Sequence, residues 1–433
     1  MRIAVYHPDF SSNAGGGELA ALGAVRALSE LGHEVELLAS SVDRDVLSAL
    51  CSSDSACPPL KLINFDHGDA CVKAGRSISQ VPLLGYQLTV AALARAVRAL
   101  ASTVSGLSEE YDLVITMQAG SGLRGLSVVL GDVVYFHYPV YLPGLVSLGE
   151  YVPGVLAPLV ERLVVNMGYR ALSEVVCGGF RIYKVATNST WTKRGVIDLN
   201  ARAVGTLPES CGRELAAALV GASVVYPPVD YELYSSMYDP NSKKDLVLTV
   251  SRYSPGKNLW SVVYAASKVT EAHFVIAGTT KTPDSNKVVG QLEALIDKLR
   301  VKNVTLERDV AKERLVDLYE EAKVYLHPLY AEHFGIAIAE GAAAGAVPVV
   351  FKDGGGWIDI ASRIDPMLGY TNIDEAAAIV RQLLGNEDLW LRLSRRSVEV
   401  AKDFSWDNYK RRLDAAVREA YEMKKSRSSS KSG

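Results

Sequence analysis

The chain has 433 residues and a formal net charge of −3. That length is enough for two domains, each with its own core, and the slightly acidic balance argues against a dedicated nucleic-acid binder. Five cysteines without a CxxC pair argue against a zinc site and fit a reduced, cytoplasmic protein, a Cys51–Cys57 disulfide being the alternative.

The first residues run straight into a buried strand, Arg2 to His7, with no leader-like segment ahead of it, and no apolar stretch is long enough to span a bilayer. The chain therefore reads as soluble or peripheral. A loop over residues 8–17 leads to a helix from Glu18 to Leu31 and a second strand from Glu34 to Ala39. Gly15, Gly16 and Gly17 stand between strand and helix, where dinucleotide-binding folds bring backbone to phosphate. They lack the Rossmann spacing, so nicotinamide binding is not supported, and they serve either a close ligand approach or a turn that needs positive φ.

Short strands follow over Leu60–Phe65, Leu113–Gln118 and Val133–His137, with a helix over Leu83–Thr103. His137 lies at a C-terminal strand edge, where α/β folds bind ligands, although a lone histidine is more often structural. From Val133 through Gly149 there is no Asp, Glu, Lys or Arg, and Pro139, Pro143 and Gly144 break the run. Arg162, Arg170, Arg181, Lys184, Lys193 and Arg194 come next, with only Glu174 among them. Apolar surface beside such cations predicts contact with an anionic membrane surface; core packing with ordinary surface charge is the competing reading. Lys184–Ser189 is a further strand, and Ser189 or Thr190 would cap the next helix.

The first domain is expected over 1–230, and residues 231–245 are polar and turn-rich, as a linker would be. A second domain over 246–403 alternates helices with strands at Leu246–Val250, His273–Ala277, Val304–Leu306, Val324–Leu326 and Val347–Phe351. The fold class is α/β, with two successive parallel units. Residues 404–423 form a last helix, and 424–433 are basic, serine-rich and predicted disordered.

Chemistry concentrates in the second domain. The stretch from Ala322 to Trp357 reads as strand, loop, helix, strand, with Glu332 in the loop and Glu340 inside the helix. Backbone N–H groups at a helix start attract phosphate, so Phe334, Gly335 and Ile336 are placed to face a diphosphate. Carboxylates on either side of an anion site suit hydroxyl-rich groups. For two isolated glutamates, a solvated Glu332 and a Glu340 ion-paired on a helix face would be the better reading. Arg252 and Lys257 flank a Pro-Gly turn after the strand Leu246–Val250, where an arginine fork and a lysine point charge can grip phosphate. No Asp-x-Asp metal motif is read near a strand end.

Glu332 and Glu340, with His333-Phe334-Gly335 between them, resemble the Glu-x7-Glu motif of retaining glycosyltransferases of family 4, and Arg252 with Lys257 resembles that family's Gly-Arg-Leu-x-x-x-Lys element. Asn13–Glu18, Tyr135–Pro139, Thr187–Thr192 and Val224–Asp230 are similar to stretches of the Alg11-type mannosyltransferases, which build lipid-linked oligosaccharides. Two places depart from that type: it carries its arginine where Ser254 stands, and a proline where Trp357 stands.

The resemblance implies the GT-B architecture, two Rossmann-like domains facing a cleft, with a C-terminal helix crossing back to the first. It assigns Glu332 to donor-sugar hydroxyls, Glu340 to the ribose, and Arg252 and Lys257 to the leaving diphosphate. It brings His137 toward the donor sugar, and Gly16 and Gly17 against the diphosphate or the acceptor. It implies metal-independent transfer without a cofactor, from a nucleotide sugar such as GDP-mannose to a lipid-linked glycan. The alternatives are a sugar-nucleotide epimerase or hydrolase, a transferase using a UDP-sugar and a soluble acceptor, and a non-catalytic binder.

Overall fold

The computed structural model describes residues 1–7, 9, 10, 16–43, 47, 58–63, 106, 107, 109–117, 131–139, 182–281 and 284–431. Expectations for Asn13–Gly15, the helix Leu83–Thr103, the apolar run beyond Pro139, Arg162, Arg170, Arg181 and the cysteines Cys51, Cys57, Cys71 and Cys177 fall outside these residues. The chain divides into two compact units. Residues 1–188, 192–225 and 410–433 form the first, and residues 189–191 and 226–409 the second.

The first unit holds strands β1 (Arg2–Tyr6), β2 (Asp9–Phe10), β3 (Glu34–Ala39), β4 (Ser41–Val42), β5 (Leu60–Leu62), β6 (Leu113–Met117), β7 (Val133–Phe136), β8 (Lys184–Thr187) and β9 (Ser223–Val224). Its helices include α1 (Gly16–Glu30), α2 (Thr190–Thr206, whose first two residues count with the second unit) and α3 (Glu209–Val220). The sheet runs β5-β3-β1-β6-β7-β8-β9, every neighbour parallel. β6 and β7 are buried along their whole length, as parallel strands covered on both faces must be, which is why they read as unbroken apolar runs. α1 presents Ala20, Ala21, Ala24, Val25, Ala27 and Leu28 to the core, small side chains that let its axis lie close to the strands.

The second unit holds β10 (Lys244–Val250), β11 (His273–Gly278), β12 (Val304–Arg308), β13 (Ala322–His327), β14 (Val347–Phe351) and β15 (Gly369–Tyr370), in the parallel order β12-β11-β10-β13-β14-β15. Its helices include α4 (Tyr231–Ser236), α5 (Trp260–Lys268), α6 (Ser285–Leu299), α7 (Lys312–Glu321), α8 (Ile336–Ala343), α9 (Ile373–Gly385) and α10 (Glu387–Ala401). The last helix, α11 (Trp406–Lys431), is shared: Trp406–Tyr409 count with the second unit and the rest with the first.

Residues 231–245 are not a linker. They fold into α4, a short turn and the start of β10, and they belong to the second unit. Tyr231 and Tyr234 stand three apart on α4. The Tyr234 ring is buried edge-on against Tyr319, 5.2 Å between centroids. Lys243 is also buried, and its ammonium donates to Tyr319 O at 3.0 Å and Ala344 O at 2.6 Å. A cation is thereby set on the C-terminal carbonyls of both α7 and α8. Burial lowers that ammonium to about 7.

The predicted disorder of 424–433 is also corrected, because α11 runs on to Lys431. Lys424 Nζ lies 3.0 Å from the buried Asp132 carboxylate and 2.9 Å from Asp112 O, and Arg427 pairs with Glu214. Burial pushes the Asp132 carboxyl up, while Lys424 and the Val114 N–H pull the other way. Charges that looked like those of a solvated tail are fixing the helix to its own unit.

Two of the cations assigned to a membrane face are likewise spent internally. Lys184 Nζ is bonded to Glu419 at 2.5 Å and Gly221 O at 2.9 Å, and Lys193 Nζ to Ala222 O at 2.6 Å. Cys211 is disulfide-bonded, so the cysteines are not all reduced as expected. Among the described residues no helix is long and apolar enough to cross a membrane.

Removing one partner of a buried pair strands the other charge, so Lys424→Ala should cost the protein about 3 kcal/mol. Urea unfolding checks this, and a variant as stable as the parent would mean that the end of α11 contributes nothing.

Candidate functional site

β10 and β13 are neighbours at the centre of the second sheet, with Val247 opposite Val324 and Leu248 opposite Tyr325. Both run in the same direction, so the loops after them emerge at one edge, the place where open α/β sheets bind ligands. The loop after β10 carries Arg252 and Lys257, and the loop after β13 carries Glu332. Asn258 ties them together, its Nδ2 donating to Pro328 O at 3.0 Å from a left-handed backbone with φ 51°.

The Glu332 loop is held in an unusual shape. Ala331 has φ 52°, the left-handed region that costs an ordinary residue energy, and Gly335 has φ 93°. Glu332 also forms a parallel bridge with Gly354, at φ 94°, and its carbonyl accepts from Gly355 N–H at 2.6 Å. A Cβ on Gly354 would stand 2.4 Å from Glu332 O, so only glycine lets the loop after β14 close on the carboxylate-bearing loop.

Gly335 is the N-cap of α8. Ile338 and Ala339 N–H both return to Gly335 O, which leaves the N–H groups of Gly335, Ile336 and Ala337 without an intrahelical acceptor. The helix start thus offers the N–H donors expected at Gly335 and Ile336. The Phe334 ring is buried just ahead of these donors, stacked on Tyr226 at 5.6 Å and edge-on to Phe404 at 5.2 Å.

Lys257 and Glu332 meet directly, Nζ to Oε2 at 3.2 Å. The same Oε2 lies 3.1 Å from His327 Nε2, and Oε1 accepts from His333 N–H at 3.1 Å. Burial works to raise the Glu332 carboxyl, but the hydrogen bond and field of His327, with Lys257, outweigh it and hold the group well below the ordinary carboxylate range. Glu332 is therefore a fixed anion. Arg252 is exposed at the end of β10 and makes no ion pair among the described residues, which leaves its guanidinium open to a ligand.

Glu340 does not join this cluster. Its Oε2 accepts from Tyr319 OH at 3.0 Å, and burial pushes its carboxyl up to about 7. His137, Gly16 and Gly17 belong to the first unit. His137 follows β7, with its ring 4.9 Å from Tyr135 and its carbonyl bonded to Asn188 Nδ2 at 2.7 Å. Gly16 and Gly17 are the first residues of α1, and a Cβ on Gly16 would meet nothing within 4 Å, so crowding does not require glycine there.

Sequence reasoning passed over His327, although a histidine closing a strand five residues before Glu332 was a usable signal. It also passed over Asp359. That buried carboxylate takes the Thr190 N–H at 3.1 and 3.0 Å and the Tyr226 OH at 2.8 Å. The first N–H of α2 is thus bonded to a residue 169 positions away. Asp43 directly follows β4, and Asp43-Arg44-Asp45 is an Asp-x-Asp sequence at a strand end, contrary to expectation; Asp45 lies outside the described residues. Among the described residues no three His, Cys, Asp or Glu side chains gather closely enough to hold a metal ion.

Residues 231–400 match the family Glycosyl transferases group 1. The matched residues lie within the second unit. Over 240 residues the chain is 23% identical to a GDP-Man:Man(3)GlcNAc(2)-PP-Dol alpha-1,2-mannosyltransferase of Dictyostelium discoideum, a match covering 52% of this chain and 45% of that protein. It is 28% identical over 197 residues to the D-inositol 3-phosphate glycosyltransferase of Mycolicibacterium smegmatis, covering 42% of this chain and 44% of that one. The chain thus spans less than half the length of these relatives.

Among solved structures, a glycosyltransferase from Rickettsia africae matches with a TM-score of 0.63 at 14% identity, over 98% of both chains. The Anabaena protein HepE, in complex with UDP and glucose, matches at 0.62 and 15%, over 96% of this chain and 99% of that one. At such identities these likenesses establish the fold alone, and it is the expected GT-B fold.

The raised Glu340 carboxyl has a stability consequence. A folded value above the unfolded one means that its contribution is complete below the ordinary 4.5 and is lost as pH rises through about 7. Glu340→Gln, which mimics the protonated acid, should match the parent in acid and exceed it above neutrality by up to about 3 kcal/mol. Denaturation on both sides of that window is the check, and an equal difference on both sides would remove the titration from the explanation.

Proposed function

We propose that the chain is a retaining, metal-independent glycosyltransferase that moves a sugar from a nucleotide-diphospho-sugar to a glycan acceptor, mannose from GDP-mannose to a lipid-linked glycan being the preferred reading. The observation that carries it is the cation edge of the second unit. Lys257 and exposed Arg252 lie in the loop after β10, and Lys257 pairs with Glu332, a carboxylate that stays ionised. Glu332 stands three residues before the N-cap of α8, whose first N–H groups have no intrahelical acceptor. Such an edge suits a diphosphate with a hydroxyl-rich sugar beyond it. The naming of the Dictyostelium relative supports mannose and a dolichol-linked acceptor.

In this reading Arg252, Lys257 and the start of α8 stabilise the charge that grows on the leaving diphosphate, usually the largest single catalytic contribution. Lys257 exchanges Glu332 for phosphate when the donor enters. Glu332 accepts hydrogen bonds from donor-sugar hydroxyls, and Glu340, whose Oε1 is not the atom bound to Tyr319, accepts from the ribose. The acceptor hydroxyl attacks on the face that the leaving group vacates, and its proton passes to a phosphate oxygen. The UDP and glucose in the HepE complex favour a second reading, transfer from a UDP-sugar to a soluble acceptor.

The deciding experiment incubates the protein with GDP-mannose or UDP-glucose, with and without a polyprenyl-pyrophosphate-linked oligosaccharide, in the presence of EDTA. The expected result is mannosylated lipid-linked product formed without metal. Turnover that ignores the acceptor would indicate an epimerase or hydrolase, and complete Mg²⁺-reversible loss in EDTA would overturn metal independence. Arg252→Ala and Lys257→Ala should each lower turnover roughly 10²- to 10³-fold while leaving the melting temperature near that of the parent. Near-normal turnover in both would dismiss this edge as the phosphate site.

A further inference from the structure

Oxygen Oε2 of Glu332 has two partners at almost equal distance, Lys257 Nζ at 3.2 Å and His327 Nε2 at 3.1 Å. The two are built differently. Lys257 ends a single turn, Pro255–Lys257, on a flexible four-carbon stem that remains partly exposed. His327 is the last residue of β13, and its ring is buried parallel to that of Tyr325, 6.2 Å away with 16° between planes. Its carbonyl accepts from the buried Tyr370 OH at 2.9 Å, which fixes the backbone as well. One partner is free to leave and the other is not.

The proposed function demands that one of them leave. A diphosphate carries more charge than a carboxylate and draws the lysine toward it. Without a second donor, Glu332 would then be a half-buried carboxylate with nothing but a backbone N–H on its other oxygen, free to turn or to take up a proton. We propose that His327 is a positioning residue that keeps the Glu332 carboxylate aimed at the donor sugar after Lys257 has moved to the phosphates.

The chemistry of the ring fits that duty. Nδ1 of His327 is buried with no hydrogen-bond partner, so Glu332 is the imidazole's side-chain partner among the described residues. A buried, unpartnered ring nitrogen is unfavourable, and a phenylalanine would fill the same space without it. Packing alone therefore gives no reason for histidine here; the bond to Glu332 does. Since a carboxylate can only accept, the proton belongs on Nε2. The inference rests on the proposed function for what Lys257 does, but the bond and its tautomer stand in the ligand-free protein.

His327→Phe keeps the ring shape and removes the donor, and His327→Gln offers an amide N–H near the place of Nε2. With saturating acceptor, His327→Phe should lower kcat roughly ten- to a hundredfold, the size expected for losing a hydrogen bond to a charged group, while binding of free GDP or UDP is unchanged. The acid limb of kcat/KM should move to higher pH. The charged and titratable groups facing Glu332 would then be Lys257 from the turn after β10, His333 from its own loop and Tyr325 from β13. His327→Gln should recover most of the loss. A His327→Phe variant with parental kcat and acid limb, or one that loses nucleotide binding in step with kcat, overturns the proposal. If the parent turns over no sugar nucleotide at all, the proposed function has failed separately. NMR of the imidazole nitrogens then decides on its own: a protonated Nε2 supports the positioning bond, and a bare one overturns it.

Discussion

The parallel pairing of β10 with β13 is the constraint on which the rest of the candidate site depends. Because the two strands share a direction, a cationic loop and an acidic loop must emerge side by side. Thr249 Oγ1 reinforces the seam with a 2.6 Å bond to Leu326 O, and Asn258 carries it beyond the sheet to Pro328. An antiparallel β13 would put Glu332 at the opposite edge from Lys257. The left-handed turns at Ala331, Gly335 and Gly354 then bend the loops after β13 and β14 toward each other. Backbone energy is spent in that small region, and the interlocked carbonyl and N–H groups of Glu332 and Gly355 keep it there.

Much of this was legible in the sequence. Parallel strands buried on both faces leave apolar runs, as β10, β11, β13 and β14 do, whereas the edge strand β12 is only partly buried; all five strands expected in the second domain exist, with ends displaced by at most two residues. β15 was missed because two residues leave no period to detect. The nearness of Glu332 and Lys257 was legible because motif and element ends coincide. The hydrogen bonds of His327 and Asp359 were not, since each depends on a partner that only the fold brings near. Thr190 lies 169 positions from the carboxylate that binds its N–H. His327 was hidden differently, since a histidine ending a strand reads equally well as core.

The misplaced boundaries share one cause. Polar composition was taken for lack of structure in 231–245 and in 424–433. In the first, tyrosines at helical spacing and a buried lysine lock the segment against α7 and α8. In the second, Lys424 and Arg427 find carboxylates on the first unit. Composition predicts disorder when charges have only water to meet, and here the partners come from distant sequence. The same rule disposes of Lys184 and Lys193 as surface cations.

The buried Asp359 has a consequence for dissecting the molecule. Its donors are Thr190 and Tyr226, and both lie upstream of residue 231, where the family match begins. A fragment cut at the family's own borders, 231–400, would keep this carboxylate and lose both donors. It would also lose Phe404, on whose carbonyl the N–H of Val229 rests. The segment that matches the family is therefore smaller than the compact unit that contains it. The tripeptide 189–191, borrowed from the middle of the other unit, means that no single uninterrupted excision yields the complete second unit alone.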